Sequence, residues 1–327
     1  MTVRSSVFEG VQIGLEATSG ESVAANKQLG ALSISPSIKA DIAAFRPMGG
    51  KYNTLTALGK EWIEASLEGQ LTYSEVIYPL ASLIGGGSSG GSMTGGSMWN
   101  WNFTSSQSTR DTVNTYTVEQ GSAIRAAKFS YGLITGLSMN FTRNETTLNG
   151  SMVGRALVDG ITMTSTPTSI ELVPVLASQV SVYLDDTGAG VGVTQLTTNP
   201  LSVSWELTDR FNPVWLLDAS QTSFGSHVET PPKLTVKLKL VADETAMGLL
   251  TSMRAGATKF MRINCVGATV GSHTYLMNID TAMKVMDVSE FSDEDGVFAI
   301  EWTFEGVYDN TWGKAFNITV QNKQATL

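Results

Sequence analysis

Apolar and polar side chains alternate one by one in several separate stretches of this chain. A spacing of two places the apolar side chains on one face of a strand and the polar ones on the other. Antiparallel sheets that bury one face against a core have this pattern. The alternating apolar positions are Val180, Val182 and Leu184; Leu201, Val203, Trp205 and Leu207; Leu234, Val236, Leu238 and Leu240; and Phe298, Ile300, Trp302 and Phe304. The pattern therefore predicts a mainly β protein.

Two dipeptides predict tight turns between strands. They are Asn149-Gly150 and Asp295-Gly296. Asn or Asp followed by Gly tolerates the positive φ angles that a two-residue hairpin turn requires. We expect one hairpin to close at each dipeptide.

Residues 74–84 break the alternation and predict a first helix. Ser74 or Thr72 is expected to cap its N-terminus, because a hydroxyl accepts a free backbone N–H there. Gly85 is expected to end it. Pro79 lies inside the predicted helix and is expected to kink or shorten it.

A second helix is predicted from Asp243, its expected N-cap, to Ala255, with Gly256 as its C-cap. Its last turn, residues 250–256, is similar to residues 80–86 at the end of the first helix. A strand precedes each helix, and a hairpin follows each at a distance. From this order we infer a duplicated strand–helix–hairpin unit.

The inferred duplication divides the chain into two domains. The first covers residues 1–170 with an N-terminal arm, and the second covers residues 171–327; the boundary is expected near residues 164–174. Residues 85–97 are rich in glycine and serine and have no counterpart in the second half. We expect this loop to be mobile in a free subunit and ordered by a neighbouring one.

Composition favours a protein that gives part of its surface to other proteins. With 327 residues, the chain is long enough for about two domains. Charged residues make up 16% of it, below the roughly 25% of typical soluble domains, and interface cores are depleted in charge. The net charge of −9 disfavours tight binding to a nucleic-acid backbone. There is no signal-peptide pattern and no apolar run near the roughly 20 residues of a membrane span, so we expect a cytosol-like compartment and no membrane partner.

No set of residues predicts catalysis, a metal site or a cofactor. Cys265 lies in an apolar strand-like run and is expected to be a buried, unreactive thiol. His227 and His273 are the only histidines, too few for a zinc site with one cysteine. Residues 85–90 match phosphate-loop and nucleophile-turn spacings, but without the strand before and helix after that such motifs need. Residues 293–301 match a calcium loop only in part, because the glutamate comes one residue early.

The N-terminal region carries the most specific pattern in the chain. Its segments are residues 10–20 (GVQIGLEATSG), 23–29 (VAANKQL), 32–37 (LSISPS), 45–52 (FRPMGGKY) and 60–69 (KEWIEASLEG). In this order they resemble the tail-tube (major tail) proteins of long, non-contractile-tailed phages. The rest of the chain is similar to that family only in its expected architecture.

This resemblance implies two tandem β-sandwich domains, each with one helix, whose sheets join those of neighbours in a ring-shaped β-barrel. Stacked rings would form the tail tube around a tape-measure protein, with tail-end proteins as further partners. Double-stranded DNA would pass through the lumen without specific binding, past a wall that we expect to be net negative. Most members have one domain and form rings of six, so two domains imply three chains in a pseudo-hexameric ring. The implied location is the virion, after synthesis in the host cytoplasm.

Three other functions stay open from the residues alone. A different virion protein, such as a tail-tip or decoration protein, would form discrete particles. A carbohydrate-binding β-sandwich module would need an exposed aromatic platform, for which Trp99, Trp101 and Trp312 are the candidates. A hydrolase would depend on His227 and His273. We expect no enzymatic activity.

Overall fold

Strands dominate the computed structural model of this chain, which describes residues 9–86, 89–92, 98–122, 124–197, 200–218 and 221–327. Strands account for 55% of the structure and helices for 8%, which confirms the mainly β prediction. No helix in the described part of the chain has the length and apolar character needed to cross a membrane.

The first half of the chain contains one helix and the first eleven strands. In chain order these are β1 (Gly10–Leu15), β2 (Lys27–Leu29), β3 (Leu32–Phe45), β4 (Leu55–Gln70), α1 (Ile77–Leu83), β5 (Ser89–Ser92), β6 (Trp99–Phe103), β7 (Tyr116–Gly121), β8 (Ala126–Thr142), β9 (Thr146–Gly154), β10 (Val158–Ile161) and β11 (Thr168–Ser169). In the second half they are β12 (Val180–Asp185), β13 (Pro200–Thr208), β14 (Phe211–Val214), β15 (Ser226–Glu229), β16 (Lys233–Val241), α2 (Glu244–Ala255), β17 (Thr258–Val270), β18 (His273–Val288), β19 (Ser292–Glu294), β20 (Val297–Gly306) and β21 (Phe316–Asn322).

One antiparallel sheet, here called the main sheet, passes through both halves of the chain. Its strand order is β3–β4–β9–β8–β13–β16–β20–β18. Most buried apolar side chains of both halves form one large cluster, which includes Trp101, Trp205 and Trp302. Tyr131, Leu133, Val153, Phe211 and Phe224 form a second, smaller cluster. The alternating positions of β13 and β16 supply part of the large cluster, as predicted. Among the described strands, none pairs with the outer side of β3 or with the outer side of residues 285–290 at the end of β18.

The long strands β8 and β18 each extend beyond their main-sheet partners and pair there with other strands. The first part of β8 pairs with β7 and β10, and the first part of β18 pairs with β17 and β21. In β8 the change occurs at Tyr131, which has a φ of 59°. Its N–H donates at 2.9 Å to the buried carboxylate of Glu16. This contact stabilises a backbone conformation that is otherwise unfavourable for a bulky residue.

The two halves also interlock away from the main sheet. Strand β6 of the first half pairs with β21 at the end of the second half. Arg155 of the first half donates to the backbone oxygens of Phe224 and Gly225. The predicted division near residue 170 therefore does not coincide with a break in the packing, and the two-domain organisation stays a prediction.

Helix α2 begins and ends where the sequence predicts. Asp243 accepts the N–H of Ala246 at 2.8 Å, and Gly256 ends the helix with a φ of 59°. Helix α1 is shorter than predicted, because residues 73–76 form turns before it. Thr72 caps that turn by accepting the N–H of Glu75 at 3.1 Å. Pro79 lies in the first turn of the helix, where its missing N–H has no helical partner to lose.

One of the two predicted hairpin turns is confirmed and the other is wrong. Strands β19 and β20 are joined by Asp295 and Gly296, which have φ angles of 54° and 81°. Asn149 and Gly150 instead lie inside β9, paired with strands on both sides. The turn between β8 and β9 is made by residues 143–145, whose N–H groups at 144 and 145 donate to the hydroxyl of Thr142.

A buried carboxylate fixes the start of α1 against the turn that opens β3. Glu75 is fully buried and accepts the N–H groups of Gly30, Ala31 and Leu32 at 2.7–3.1 Å. Burial is the main influence on the pKa of Glu75, and it raises that pKa above the ordinary value. These bonds align β3 for its place at the end of the main sheet.

Two further sequence predictions concern the thiol of Cys265 and the glycine-rich loop of residues 85–97. Cys265 is fully buried and burial raises the pKa of its thiol, as expected for an unreactive cysteine. Residues 87–88 and 93–97 of the predicted mobile loop lie outside the described residues. Between them Ser89–Ser92 forms β5, which pairs with β6.

Candidate assembly interface

The main sheet repeats one order of four strands. The first set is β3–β4–β9–β8 and the second is β13–β16–β20–β18. In each set the first two strands precede a helix and the last two follow it. The last strand of each set also has a bulge at a matching place, between Ile134 and Gly136 in β8 and between Val285 and Asp287 in β18. The shared order and the shared bulge give the two sets equivalent positions.

Strands β8 and β13 join the two sets within the chain. Their register runs from Leu137 opposite Leu207 to Thr142 opposite Ser202. Both leucines are buried, and Ser138 lies opposite Glu206 on the other face. This pairing satisfies the strand edges that two separate sets would leave open.

Strand β3 forms the first open edge. It pairs with β4 along its length, and no described strand lies on its other side. Pro36, opposite Ala65, has no N–H to give to β4. In an antiparallel pair the backbone groups of alternate residues point to opposite sides. The free backbone groups of Pro36 and Ile38 therefore point to the open side, and those of Ser37 bond to β4.

The second open edge lies at the end of β18. Ser289 donates its N–H to the oxygen of Glu301 at 2.9 Å, so the groups of Val288 and Glu290 point away from β20. Two of these backbone groups already form hydrogen bonds with side chains of the same chain. The Val288 N–H donates to the Asp287 carboxylate at 2.9 Å, and the Ser289 hydroxyl donates to the Glu290 oxygen at 2.8 Å. Among the described strands, none pairs with this side of residues 285–290.

Large apolar side chains are exposed beside the first edge. The hairpin of β3 and β4 continues beyond the core, and its outer part, residues 36–61, is here called the arm. Ile34 of β3 is buried, but Ile38 and Ile42 on the same face are 58% and 65% exposed. Leu58, opposite Ile42, is also exposed. The apolar face of the strand thus extends past the core that covers its beginning.

A similar extension occurs near the second edge. Phe298 occupies an alternating position that the sequence placed on the core face of β20, but it is 74% exposed. It contacts the exposed Phe291, with 6.4 Å between ring centroids. Both ends of the main sheet therefore present uncovered apolar groups, which is a feature of protein–protein contact sites.

A loop from the second half holds the base of the arm. The Trp215 ring meets the Trp62 ring edge-on at 5.4 Å, and Lys60 lies 4.9 Å from the centre of Trp215. The Ser223 hydroxyl donates to the Glu61 oxygen at 2.7 Å. These contacts fix the direction in which the arm leaves the body of the protein.

The side of the main sheet that faces away from the core is polar. Many of its residues carry hydroxyl or amide groups, such as Ser66, Ser138, Asn140, Asn149, Ser151 and Ser204. Its charges stand opposite one another across strands, as in Lys239 with Glu301 and Lys284 with Glu305. This face therefore carries interleaved charges of both signs.

His227 is packed into the structure by an arginine and a tyrosine. Its Nε2 lies 3.2 Å from Arg110 and its Nδ1 lies 3.0 Å from the Tyr131 hydroxyl. Because arginine can only donate, Nε2 accepts and Nδ1 carries the proton. Burial, followed by the charge of Arg110, lowers the pKa of His227. Both ring nitrogens are thus hydrogen-bonded to residues other than a serine. The imidazole lies beside an open cleft of about 690 Å³.

The other candidate residues are not brought together. Trp101 is buried and donates to Asn322, Trp99 is half-buried, and Trp312 packs on Phe260. Residues 293–296 form a hairpin tip, in which Asp293 accepts the N–H of Gly296. Within the described residues, no three His, Cys, Asp or Glu side chains are grouped as a metal ion requires.

The segments that carry the resemblance to tail-tube proteins form β1 to β4 and the arm. The open edges were not predicted, because the sequence does not tell which strands pair. Comparison with models of known protein families gives no match, and a search of curated proteins finds no similar protein.

Proposed function

We propose that this chain is a structural virion protein that polymerises into stacked rings and forms the tail tube of a long, non-contractile-tailed phage. The observation that carries the proposal is the repeated set of four strands, joined within the chain and open at both ends. A second copy can continue such a sheet by the same pairing that joins β8 to β13. The resemblance of the N-terminal region supports the same function.

The repeat favours rings of three chains. Each chain supplies two tandem sets with equivalent ends, so the junction between chains can imitate the junction within a chain. A sheet continued in this way closes into a barrel and leaves no free edge. Rings stacked head to tail then form an open filament.

The polar face of the main sheet is the surface that we assign to the channel. Apolar groups on its other face already contact the core, so the polar face is the one free to meet solvent. Lysines and glutamates stand opposite one another there. Since the net charge of the chain is −9, we still expect the assembled wall to be net negative, which would keep double-stranded DNA from adhering. The predicted partners, a tape-measure protein and tail-end proteins, follow from this proposal.

The arm supports stacking. Its apolar face lies outside the core of its own chain, and the Trp62–Trp215 contact holds it in a fixed direction. A neighbouring ring would cover this face.

Negative-stain electron microscopy of the purified full-length protein tests the proposal. The expected result is hollow tubes of constant diameter that lengthen with protein concentration. Discrete particles of one size would contradict it and favour a tail-tip or decoration protein.

A further inference from the structure

The junction within the chain is a template for the contact between two chains. Residues that lie directly opposite one another on neighbouring strands form a row across the main sheet. Each such row in the first set has an equivalent row in the second. The residue opposite the end of each bulge, Ser151 in β9 and Thr303 in β20, pairs with Ser66 of β4 and with Lys237 of β16. Counting two residues back from these two, the pair of Ser37 and Glu64 is equivalent to the pair of Glu206 and Thr235. The matching bulges place Ser138 of β8 equivalent to Ser289, two residues beyond Asp287. Because Ser138 lies opposite Glu206, the equivalent pair between chains is Ser289 and Ser37.

We propose that the open edge of β3 in one copy pairs antiparallel with residues 287–290 of a second copy, with Ser37 directly opposite Ser289. This proposal rests on the proposed function, because it specifies how two copies meet in the ring. The partner is a second copy of this chain, and a single register of the two strands is specified.

The backbone groups at the two edges agree with this register. The groups of Ser37 point to β4 and those of Ser289 point to β20, so this pair is not hydrogen-bonded. The hydrogen bonds then form between the adjacent residues, Ile38 with Val288. If the register were shifted by one residue, the backbone groups of one chain that point into the junction would face residues of the other chain whose backbone groups point away from it.

Pro36 provides a second agreement. In this register it lies opposite Glu290, and proline has no N–H to donate to the Glu290 oxygen. That oxygen already accepts the Ser289 hydroxyl at 2.8 Å, so it is satisfied without a donor from the second chain. The Glu290 N–H can still donate to the Pro36 oxygen.

Side chains on both faces also match. Ile38, 58% exposed in a single chain, comes to lie opposite Val288 on the core side, as Leu207 lies opposite Leu137 within the chain. On the polar side Lys39, whose ammonium lies 3.6 Å from the Glu64 carboxylate within its own chain, comes to lie opposite Asp287. The Val288 N–H leaves the Asp287 carboxylate for the Ile38 oxygen, and the carboxylate becomes free to pair with the Lys39 ammonium.

Charge reversal tests the register with the full-length protein. Lys39→Glu and Asp287→Lys, each alone, should raise the critical concentration for polymerisation on the order of tenfold, because like charges then face one another. The double variant should restore it to near the wild-type value. The control is Lys323→Glu, which reverses the charge of another exposed ion pair, with Glu171, and should polymerise normally. A double variant that polymerises no better than the single ones would overturn the register.

Disulfide formation gives an independent measurement. Ser37→Cys combined with Ser289→Cys should cross-link chains within tubes, because side chains of a non-hydrogen-bonded pair approach closely. Ser33→Cys with Ser289→Cys should not, since its sulfurs would be displaced by about 13 Å along the strand. The native Cys265 is buried and does not compete. If the wild-type protein forms tubes but those of the Ser37→Cys/Ser289→Cys variant contain no cross-link, the register is contradicted and the proposed function stays intact. A wild-type protein that forms no tubes would contradict both.

Discussion

Leu207 of β13 lies directly opposite Leu137 of β8, and both leucines are buried. They join the two halves of the main sheet, and Leu137 holds the position in β8 that Val288 holds in β18. Ile38 holds the position in β3 that Leu207 holds in β13, but it faces solvent in a single chain. The same position is therefore covered in one set and uncovered in the other.

Truncating these two residues should separate folding from assembly. Leu207→Ala is expected to lower the free energy of unfolding of the monomer by about 2–5 kcal/mol, because it leaves a cavity in the core. Ile38→Ala should change it by less than about 1 kcal/mol, since its side chain is largely exposed, and should weaken polymerisation instead. Urea unfolding and sedimentation of the two variants measure both effects. Equal destabilisation of the monomer by both variants would contradict the assignment of Ile38 to a contact between chains.

The arm should be needed for stacking and dispensable for folding. Ile42→Asp places a charge on its exposed apolar face and should leave the thermal unfolding of the monomer nearly unchanged while preventing tube growth. Val193→Asp, also at an exposed apolar residue but outside the main sheet, is the matched control and should polymerise normally. Tubes of normal length from Ile42→Asp would show that the arm is not part of the stacking contact.

Local patterns in the sequence predict local structure well in this chain. Helix α2 and its caps, the Asp295–Gly296 turn and the core-facing positions of β13 and β16 were all predictable, because each depends on neighbouring residues. Asn149-Gly150 was wrongly predicted to form a turn, because the dipeptide carries no information about the strands that pair with both sides of β9. The duplicated order was predicted, but its hairpin was placed at that wrong turn.

The candidate interface depends on long-range pairing, and the sequence contains no local signal for it. The pairing of β8 with β13, or of β6 with β21, brings together segments distant in the chain. The exposed apolar residues of the arm continue the alternation of a buried strand, so periodicity alone places them in the core. The one local hint is Pro36, a residue that within sheets is found mainly at edge strands.

Arg210 should contribute strongly to the stability of the folded chain. Its buried guanidinium donates to the Leu83 oxygen at 3.2 Å and forms ion pairs with Asp111 and Glu229. Arg210→Leu leaves two carboxylates without their cation and should lower the free energy of unfolding by about 3–5 kcal/mol.

The exposed pair of Arg143 and Asp295 provides the matched control for this substitution. Arg143→Leu should cost less than about 1 kcal/mol, because exposed ion pairs contribute little. Equal losses in urea unfolding of the two variants would contradict the role assigned to Arg210.

His227 should make the folded chain sensitive to mild acid. Burial lowers its pKa below the ordinary value of 6.5, so the unfolded chain binds a proton more readily than the folded chain. Its contribution to stability is complete above pH 6.5 and is lost as the pH falls from 6.5 through the lowered folded value. His227→Gln should flatten the fall of the free energy of unfolding below pH 6.5. Phe211→Leu removes a ring contact with His227 but keeps the imidazole, so it should be less stable with the wild-type slope. An unchanged slope in His227→Gln would contradict this origin.

Image averaging of assembled tubes by electron cryomicroscopy tests the central proposal most directly. The predicted result is a ring of three chains around a hollow channel, in which the β3–β4–β9–β8 and β13–β16–β20–β18 sets alternate and the polar face of the main sheet lines the lumen. The averaged wall should then show a pseudo-six-fold repeat that becomes three-fold at the arm, which only the first set carries. Rings of six chains, or assemblies in which β3 and the end of β18 do not pair between copies, would contradict it.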